Sequence, residues 1–285
     1  MGEIAQTDFE IQFNKKEIME FSGTSLAFVD ISPAKDIDPV PIFLAPGWAG
    51  KKMMFKEVLH SFYKKNRRVL SLVHPTHVRK PTVKDGTPLV ELRKAKEILA
   101  VIENSGVSRV DAVFYSEGGI NGILAATRCP EKFRNIILVD PGGFIKEDRV
   151  LRLANRFITE AIQWAKEFIF MPKRREELSE IGKEIVTYVM ENPMKTIKEA
   201  NAIAKENVMG MLKILHKKGI GTAIIHATND RVFPLNNIQK IFDTDAVDYF
   251  YPTEGNHFEF LVEPEKYVNL IIHALDVEQK KSLQK

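Results

Sequence analysis

Ser116 is the residue of this sequence whose surroundings most favour covalent chemistry. It follows the apolar run Val110–Tyr115 and precedes Glu117 and two glycines. A short apolar run of this kind predicts a buried strand, and the glycines predict a sharp turn into a helix. Such a turn, a nucleophile elbow, lifts the hydroxyl above the sheet, where it can attack a carbonyl carbon once a base takes its proton. Serines and glycines also occur in ordinary turns, so other residues must supply the base and the acid.

Asp230 and His257 lie where an acid and a base for this serine are needed. Asp230 comes a few residues after the predicted strand Thr222–His226, and His257 follows the predicted strand Val247–Tyr251. Sites in parallel sheets form at the carboxyl ends of strands, so we expect the three side chains to meet at one edge of the sheet. An imidazole can accept the serine proton, and a carboxylate can hold the imidazole in the required tautomer.

The chain order serine, aspartate, histidine resembles that of the α/β-hydrolase family. Four segments carry the resemblance: the elbow at Ser116, the acid loop 224–234, the histidine loop 255–264, and Leu44–Gly50, which is similar to the family's oxyanion loop. Two positions depart from the family pattern. Phe114 stands where a glycine is usual, and we expect the paired glycines after the elbow, Gly118 and Gly119, to leave room for it. Pro46 replaces a histidine without removing a backbone donor.

The resemblance implies a serine hydrolase that needs no cofactor and cleaves a carboxylic ester or related acyl substrate through an acyl-enzyme. Ser116 is then the nucleophile, His257 the general base and Asp230 the orienting acid, and the backbone N–H groups of Trp48 and Glu117 form an oxyanion hole. Thioesters, lactones and the carbon–carbon bonds of vinylogous diketones are cleaved by the same triad. The same fold would also suit an acyltransferase or a non-catalytic binding protein.

Several other residues have more than one interpretation. Asp140, which ends another predicted strand, competes with Asp230 for the role of acid, and we favour Asp230. His74 and His77 have a spacing that suggests a metal pair, but a structural hydrogen-bonding role is favoured because no carboxylate is adjacent. Cys129 is interpreted as a small buried apolar residue. No Cys/His cluster has zinc-ligand spacing, so no metal site is predicted.

The element order predicts an α/β fold: a mostly parallel twisted sheet with helices on both faces. Ile11–Phe13 and Ser25–Ile31 are predicted as two opening strands, and strands and helices alternate from there to about residue 144. Residues 145–219 contain three amphipathic helical patterns and no convincing strand, and we expect them to form an inserted, all-helical cap. Residues 1–144 and 220–285 would then form the core domain.

The first predicted cap helix carries more large apolar side chains than one packing stripe needs. We expect some of them to face an apolar substrate pocket beside the serine. The candidate pocket residues are Trp48, Tyr115, Phe144, Phe157, Trp164, Phe168 and Phe258.

Composition limits the partners of the chain. Lys and Arg number 41 and Asp and Glu 38, a net charge of +3 that is too small for a nucleic-acid-binding surface. The acidic N-terminal stretch contains no apolar signal or spanning segment, which favours a soluble, cytoplasmic protein. The single cysteine excludes an internal disulfide framework. A small-molecule acyl substrate is the expected partner, and the oligomeric state stays open.

Overall fold

The computed structural model describes residues 7–15, 17–73, 89–145, 149–170, 175–191, 193–242 and 244–283. In these ranges eight strands form one sheet in the order β1-β2-β4-β3-β5-β6-β7-β8. The strands β1 and β2 run antiparallel to their neighbours, and the remaining pairs are parallel. The strands are β1 Glu17–Phe21, β2 Thr24–Ile31, β3 Ile42–Ala45, β4 Val69–Val73, β5 Val110–Tyr115, β6 Phe133–Val139, β7 Gly221–Ala227 and β8 Tyr249–Thr253.

Helices cover both faces of the sheet. Within the described ranges they are α1 Asp8–Asn14, α2 Lys56–Lys64, α3 Leu89–Asn104, α4 Gly118–Arg128, α5 Val150–Phe170, α6 Arg175–Glu191, α7 Pro193–Lys205, α8 Met209–Lys217, α9 Leu235–Phe242, α10 Glu259–Val262 and α11 Pro264–Leu283. None of the helices in this part of the chain combines the length and the apolar character needed to cross a membrane.

The strand predicted at Ile11–Phe13 is wrong, because these residues lie in helix α1. The Thr7 side chain caps the helix by accepting a hydrogen bond from the Glu10 N–H at 3.3 Å. Phe9 and Phe13, one turn apart, are buried, whereas Ile11 is 57% exposed. The alternation of apolar and polar residues suggested a strand, but the buried spacing is that of a helix.

Four helices, α5 to α8, occupy the segment predicted to contain three. The third predicted pattern divides after Lys205, where the Val208 N–H donates to the Gly143 carbonyl at 2.9 Å. The Asn207 side chain accepts from the Met209 N–H at 3.1 Å and begins α8. The described residues from 150 to 217 contain no strand. We propose that α5 to α8, called the cap helices below, form the cap expected at residues 145–219.

The central strands are buried on both faces. In β3, Ile42 and Leu44 belong to the apolar cluster on one side of the sheet, and Phe43 and Ala45 belong to the cluster on the other. Successive side chains of a strand point to opposite faces, so a continuous apolar run fills both layers. This packing fixes the positions of the strand ends that carry the site.

Phe114, on β5, is accommodated by a glycine other than those we expected. A Cβ atom added at Gly122 would lie 2.5 Å from the Phe114 ring, so the missing side chain of Gly122 leaves the room for that ring. Gly118 has a different role, since a Cβ there would lie 2.5 Å from the Ala45 carbonyl oxygen. The Phe114 ring also packs against Phe133, with centroids 6.1 Å apart.

We predict that Gly122→Ala lowers the free energy of unfolding by about 1–3 kcal/mol, because the added methyl group overpacks the core against Phe114. Gly210→Ala is the matched control: Gly210 is also helical, but nothing lies within 4 Å of a Cβ added there. Alanine should stabilise that helix by up to about 1 kcal/mol. Chemical denaturation measures both changes. A neutral or stabilising effect of Gly122→Ala would contradict the packing account. Phe114→Leu, added to Gly122→Ala, should restore part of the lost stability, because it removes the ring that the methyl group meets.

Candidate active site

Ser116 occupies a strained turn between β5 and α4. Its φ angle is 55°, in the left-handed region that residues other than glycine rarely adopt. The Ser116 N–H donates to the Val139 carbonyl at 3.0 Å, and the Ser116 carbonyl accepts from Gly119 and Gly142 at 3.0 and 2.9 Å. These bonds hold the turn, which costs on the order of 1–3 kcal/mol to maintain.

The side chains of Ser116, His257 and Asp230 form a continuous hydrogen-bonded chain. Ser116 Oγ lies 2.9 Å from His257 Nε2, and His257 Nδ1 lies 2.8 Å from Asp230 Oδ2. All three residues are at most 4% exposed. Because a carboxylate only accepts, it favours the tautomer with the proton on Nδ1, which leaves Nε2 free to take the serine proton. Chemically, this arrangement can activate a serine as a nucleophile.

The Asp230 carboxylate is fixed by its own loop. Its second oxygen, Oδ1, accepts hydrogen bonds from the backbone N–H groups of Val232 and Phe233 at 2.7 and 2.8 Å. Hydrogen bonds from N–H groups stabilise the charged form of a carboxylate. Both oxygens of Asp230 are therefore engaged, one by the backbone and the other by His257.

Three further side chains hold His257. The Tyr115 hydroxyl donates to the His257 carbonyl at 2.8 Å, and the Tyr115 ring stacks on the imidazole with centroids 5.6 Å apart. The Phe233 ring makes an edge contact with the imidazole, with centroids 5.4 Å apart. Glu160, from α5, accepts a hydrogen bond from the backbone N–H of His257 at 3.2 Å.

Glu160 was missed in the sequence. It is fully buried and lies one helical turn from Phe157 and two from the buried Leu153, on the inner face of α5. A charged residue inside an apolar stripe was the available signal, because such a residue is buried only when it has a partner.

Asp140 lies close to the hydrogen-bonded side chains of Asp230 and His257, but it contacts another histidine, His226. Its Oδ1 accepts from the Ala227 N–H at 2.7 Å and lies 3.3 Å from His226 Nδ1. Burial and the nearby charge of Asp230 raise the pKa of Asp140 well above its usual range. Burial also lowers the pKa of His226 to about 4, so this imidazole is neutral at pH 7. The structure thus places Asp230, rather than Asp140, beside His257.

Among the described residues, one group could hold a metal ion. Asp140, His226 and Asp230 offer donor atoms within 4.8 Å of one another. Asp230 already uses both carboxylate oxygens as hydrogen-bond acceptors, so the group offers few free ligand positions. His74 and His77 lie outside the described residues. Cys129 is half-buried at the end of α4.

The loop after β3 lies directly against the serine. A Cβ added at Gly47 would be 2.8 Å from Ser116 Cβ and 3.3 Å from Ser116 Oγ, so only glycine permits this approach. Trp48 follows it in the chain. Within the described ranges, the backbone N–H groups of Trp48 and Glu117 have no protein acceptor.

The Glu117 side chain turns into the protein and pairs with a lysine. Its two carboxylate oxygens lie 2.6 and 2.7 Å from Lys94 Nζ, on α3. Burial works to lower the pKa of Lys94, but Glu117 and neighbouring carboxylates outweigh it and hold that pKa well above its usual value. The ammonium thus offsets a negative charge next to the serine.

A cavity of about 270 Å³ opens beside Ser116 and His257 between the core and the first two cap helices. Four predicted pocket residues, Trp48, Tyr115, Phe157 and Phe258, line it. Phe144 does not, because it packs into the core beneath the cap helices and is only 7% exposed. The side chains of Trp164 and Phe168 lie outside the described part of the chain. The other lining residues are Gly47, Gly50, Met54, Phe55, Ile158, Ala161, Gly182, Ile185, Val186 and Leu261.

Comparisons with known proteins agree with this architecture. No family model matches the sequence. The chain is 22% identical over 249 residues to a putative non-heme haloperoxidase of Mycobacterium phage D29, a match that covers 82% of this chain and 87% of that protein. The enol-lactonase from Burkholderia xenovorans superimposes with a TM-score of 0.71 at 15% identity, over 91% of this chain and 100% of that one. An esterase from Thermogutta terrifontis gives a TM-score of 0.68 at 16% identity, over 93% and 99%.

The chain has the α/β-hydrolase fold. The predicted fold class is thereby confirmed. In this α/β-hydrolase fold the serine, aspartate and histidine follow β5, β7 and β8, at the carboxyl edge of the sheet.

Substitution of Asp230 and of Asp140 by asparagine tests which carboxylate orients His257. The two variants are well matched, because both residues are buried and asparagine keeps an acceptor oxygen at either position. We predict that Asp230→Asn slows the reaction of Ser116 with a fluorophosphonate by several orders of magnitude, as in another enzyme where a triad acid was so changed (on the order of 10⁴). Asp140→Asn should slow it much less. Rates of labelling, with thermal unfolding to check folding, decide the matter. The reverse ranking would assign the orienting acid to Asp140.

Proposed function

We propose that this protein is a serine hydrolase that cleaves a carboxylic ester or a related acyl substrate through an acyl-enzyme. The chain of contacts from Ser116 through His257 to Asp230, at the wall of a cavity, carries the proposal. The fold shared with an esterase and an enol-lactonase supports it. A small-molecule acyl compound is the proposed partner, and a cytoplasmic location rests on the sequence alone.

The proposed reaction begins when Ser116 Oγ attacks the carbonyl carbon and His257 Nε2 takes the hydroxyl proton. Proton transfer to a positioned base of this kind is worth about 10²–10⁴-fold in other enzymes. Asp230 holds the imidazole and stabilises the imidazolium. His257 then returns the proton to the leaving alcohol as the carbon–oxygen bond breaks. Water attacks the acyl-enzyme by the same route and releases the acid and the free serine.

The tetrahedral intermediates carry a negative oxygen that needs hydrogen-bond donors. We assign this role to the backbone N–H groups of Trp48 and Glu117, which have no protein acceptor within the described ranges. One such donor is worth about 3 kcal/mol where it has been removed from another enzyme. The Lys94 ammonium, bound to the Glu117 carboxylate, reduces the repulsion that this carboxylate would exert on the oxyanion.

Related chemistries use the same groups. Thioesters, lactones and the carbon–carbon bonds of vinylogous diketones all present a carbonyl carbon to the serine, and one structural neighbour is named an enol-lactonase. An acyltransferase differs only in that an alcohol accepts the acyl group. The phage relative is named a putative non-heme haloperoxidase, which makes peroxide-dependent halogenation a second candidate activity.

A substrate panel tests the proposal. We expect the wild type to hydrolyse at least one of a set of p-nitrophenyl esters, thioesters and lactones, and Ser116→Ala to lose several orders of magnitude in kcat. Halogenation of an activated diketone with peroxide and bromide forms a parallel assay. Equal hydrolysis rates for the wild type and Ser116→Ala would refute a serine hydrolase, and halogenation alone would favour the second candidate. If neither assay shows activity, the non-catalytic binding protein becomes the better interpretation.

The cavity predicts the kind of acyl group that is preferred. Its wall is apolar apart from the catalytic side chains, and burying one methylene is worth about 0.8 kcal/mol, or about fourfold in kcat/KM. We expect kcat/KM to rise along a series from acetyl toward medium-chain acyl groups, and aromatic acyl groups to exceed acetyl.

Ile185→Ala, in the cavity wall, should move the optimum of this series to longer acyl chains, because it enlarges the cavity. Ile214→Ala is the control, since Ile214 is 50% exposed on α8 and does not line the cavity. A maximum at acetyl that falls steadily with chain length would show that the site is small and the prediction wrong.

A further inference from the structure

We infer that Glu199, on cap helix α7, is a positioning residue for the oxyanion hole: its carboxylate holds the side chains of both proposed donor residues, Trp48 directly and Glu117 through Lys94. The inference rests on the proposed function and goes beyond it. It means that docking of the cap helices and completion of the oxyanion hole are one event.

The contact to the first donor residue is direct. Glu199 Oε2 accepts a hydrogen bond from the Trp48 indole N–H at 3.0 Å. The same oxygen accepts from the Tyr188 hydroxyl, on α6, at 2.6 Å. The Trp48 ring is also packed between two cap side chains, with its centroid 5.9 Å from that of Tyr188 and 5.6 Å from that of Phe157. The orientation of Trp48 therefore depends on groups that belong to the cap helices.

The contact to the second donor residue passes through one ammonium group. Lys94 Nζ lies 3.2 Å from Glu199 Oε1 and 2.6 Å from Glu117 Oε1. Lys94, Glu117 and Glu199 are at most 2% exposed. Lys94 donates hydrogen bonds to Glu117, and its contact with Glu199 is an ion pair; burial strengthens both. Through Lys94, the position of Glu117 depends on Glu199 of α7, and so does the position of the Glu117 backbone N–H.

The charges of this cluster make the removal of any one partner costly. Burial and the charge of Glu117 raise the pKa of Glu91 well above its usual range. Two further buried carboxylates, Glu117 and Glu199, share Lys94, and Lys195 approaches Glu199 to 3.8 Å. Breaking a buried ion pair leaves an uncompensated charge and is costly, which keeps the network intact whenever the cap helices are docked.

A role in stability alone and a role in positioning predict different kinetic effects. If Glu199 only fastens the cap helices, its loss lowers the unfolding temperature but not the stabilisation of the transition state in the folded protein. If it positions the donors, its loss lowers kcat and weakens the binding of a tetrahedral-intermediate analogue, with little change in KM, because the N–H groups bind the oxyanion and not the ground-state ester.

The test compares Glu199→Gln with Glu184→Gln in the full-length protein. Glu184, on α6, also ties a cap helix to the core domain, because it pairs with Lys51 at 2.9 Å. Within the described residues, no hydrogen bond or ion pair joins Glu184 or Lys51 to Trp48 or Glu117. The readouts are kcat, KM, the inhibition constant of an aryl trifluoromethyl ketone, and the unfolding temperature. We expect Glu199→Gln to lower kcat and the affinity for the ketone by about tenfold or more, whereas Glu184→Gln changes both by less than about threefold.

Trp48→Phe gives a second, milder variant for the case in which Glu199→Gln does not fold, because it removes the indole N–H that Glu199 accepts and keeps an aromatic ring. It should lower kcat and ketone affinity together, several-fold. Wild-type kcat and ketone affinity in a folded Glu199→Gln or Trp48→Phe protein would overturn the inference, as would equal losses in Glu199→Gln and Glu184→Gln. A wild type with no hydrolytic activity and no reaction with the ketone would instead overturn the proposed function, and this inference with it.

Discussion

The left-handed turn at Ser116 is the constraint on which the arrangement of the site depends. With φ at 55° the chain reverses sharply from β5 into α4, and neighbouring segments must come very close. Two of these approaches are possible only because a Cβ is missing. Gly47 lies against Ser116, and Gly118 lies against the Ala45 carbonyl. The turn therefore determines which residues are tolerated in the loop after β3 and in the first turn of α4.

The cap helices contribute charge as well as apolar surface to the site. Glu160 and Glu199 are both fully buried, and each contacts at least one core residue close to Ser116. Glu160 accepts from the His257 N–H, and Glu199 accepts from the Trp48 indole. A buried carboxylate without partners costs several kcal/mol, so the cap helices pack favourably only in the arrangement that supplies these partners. In this way the requirement to satisfy buried charge ties the cap helices to the geometry of the site.

The site was most predictable where a reactive side chain directly follows a recognisable strand pattern. Ser116, Asp230 and His257 each follow a short β-branched or apolar run, so their meeting at one sheet edge could be predicted from strand order. Local pattern failed at Ile11–Phe13, where alternation over three residues fits a strand as well as one face of a helix. It also failed to divide α7 from α8, because the break depends on a distant carbonyl, that of Gly143.

Long-range contacts explain what the sequence did not reveal. The space for Phe114 comes from Gly122, in the second turn of α4, and no local rule indicates that these residues touch. Lys94, Glu160 and Glu199 lie in the inner stripes of three helices, where a charge signals a buried partner without identifying it. Several of these partners lie far away in the chain, as Trp48 does from Glu199.

Trapping the acyl-enzyme is the most direct test of the central claim. A p-nitrophenyl ester that the wild type turns over would be mixed with the protein, quenched in acid within the first turnover, and followed by intact-mass measurement and peptide mapping. The account predicts that the mass increases by one acyl group, carried by the peptide that contains Ser116, and that Ser116→Ala shows no such increase. Turnover without a covalent adduct, or an acyl group on a residue other than Ser116, would contradict it.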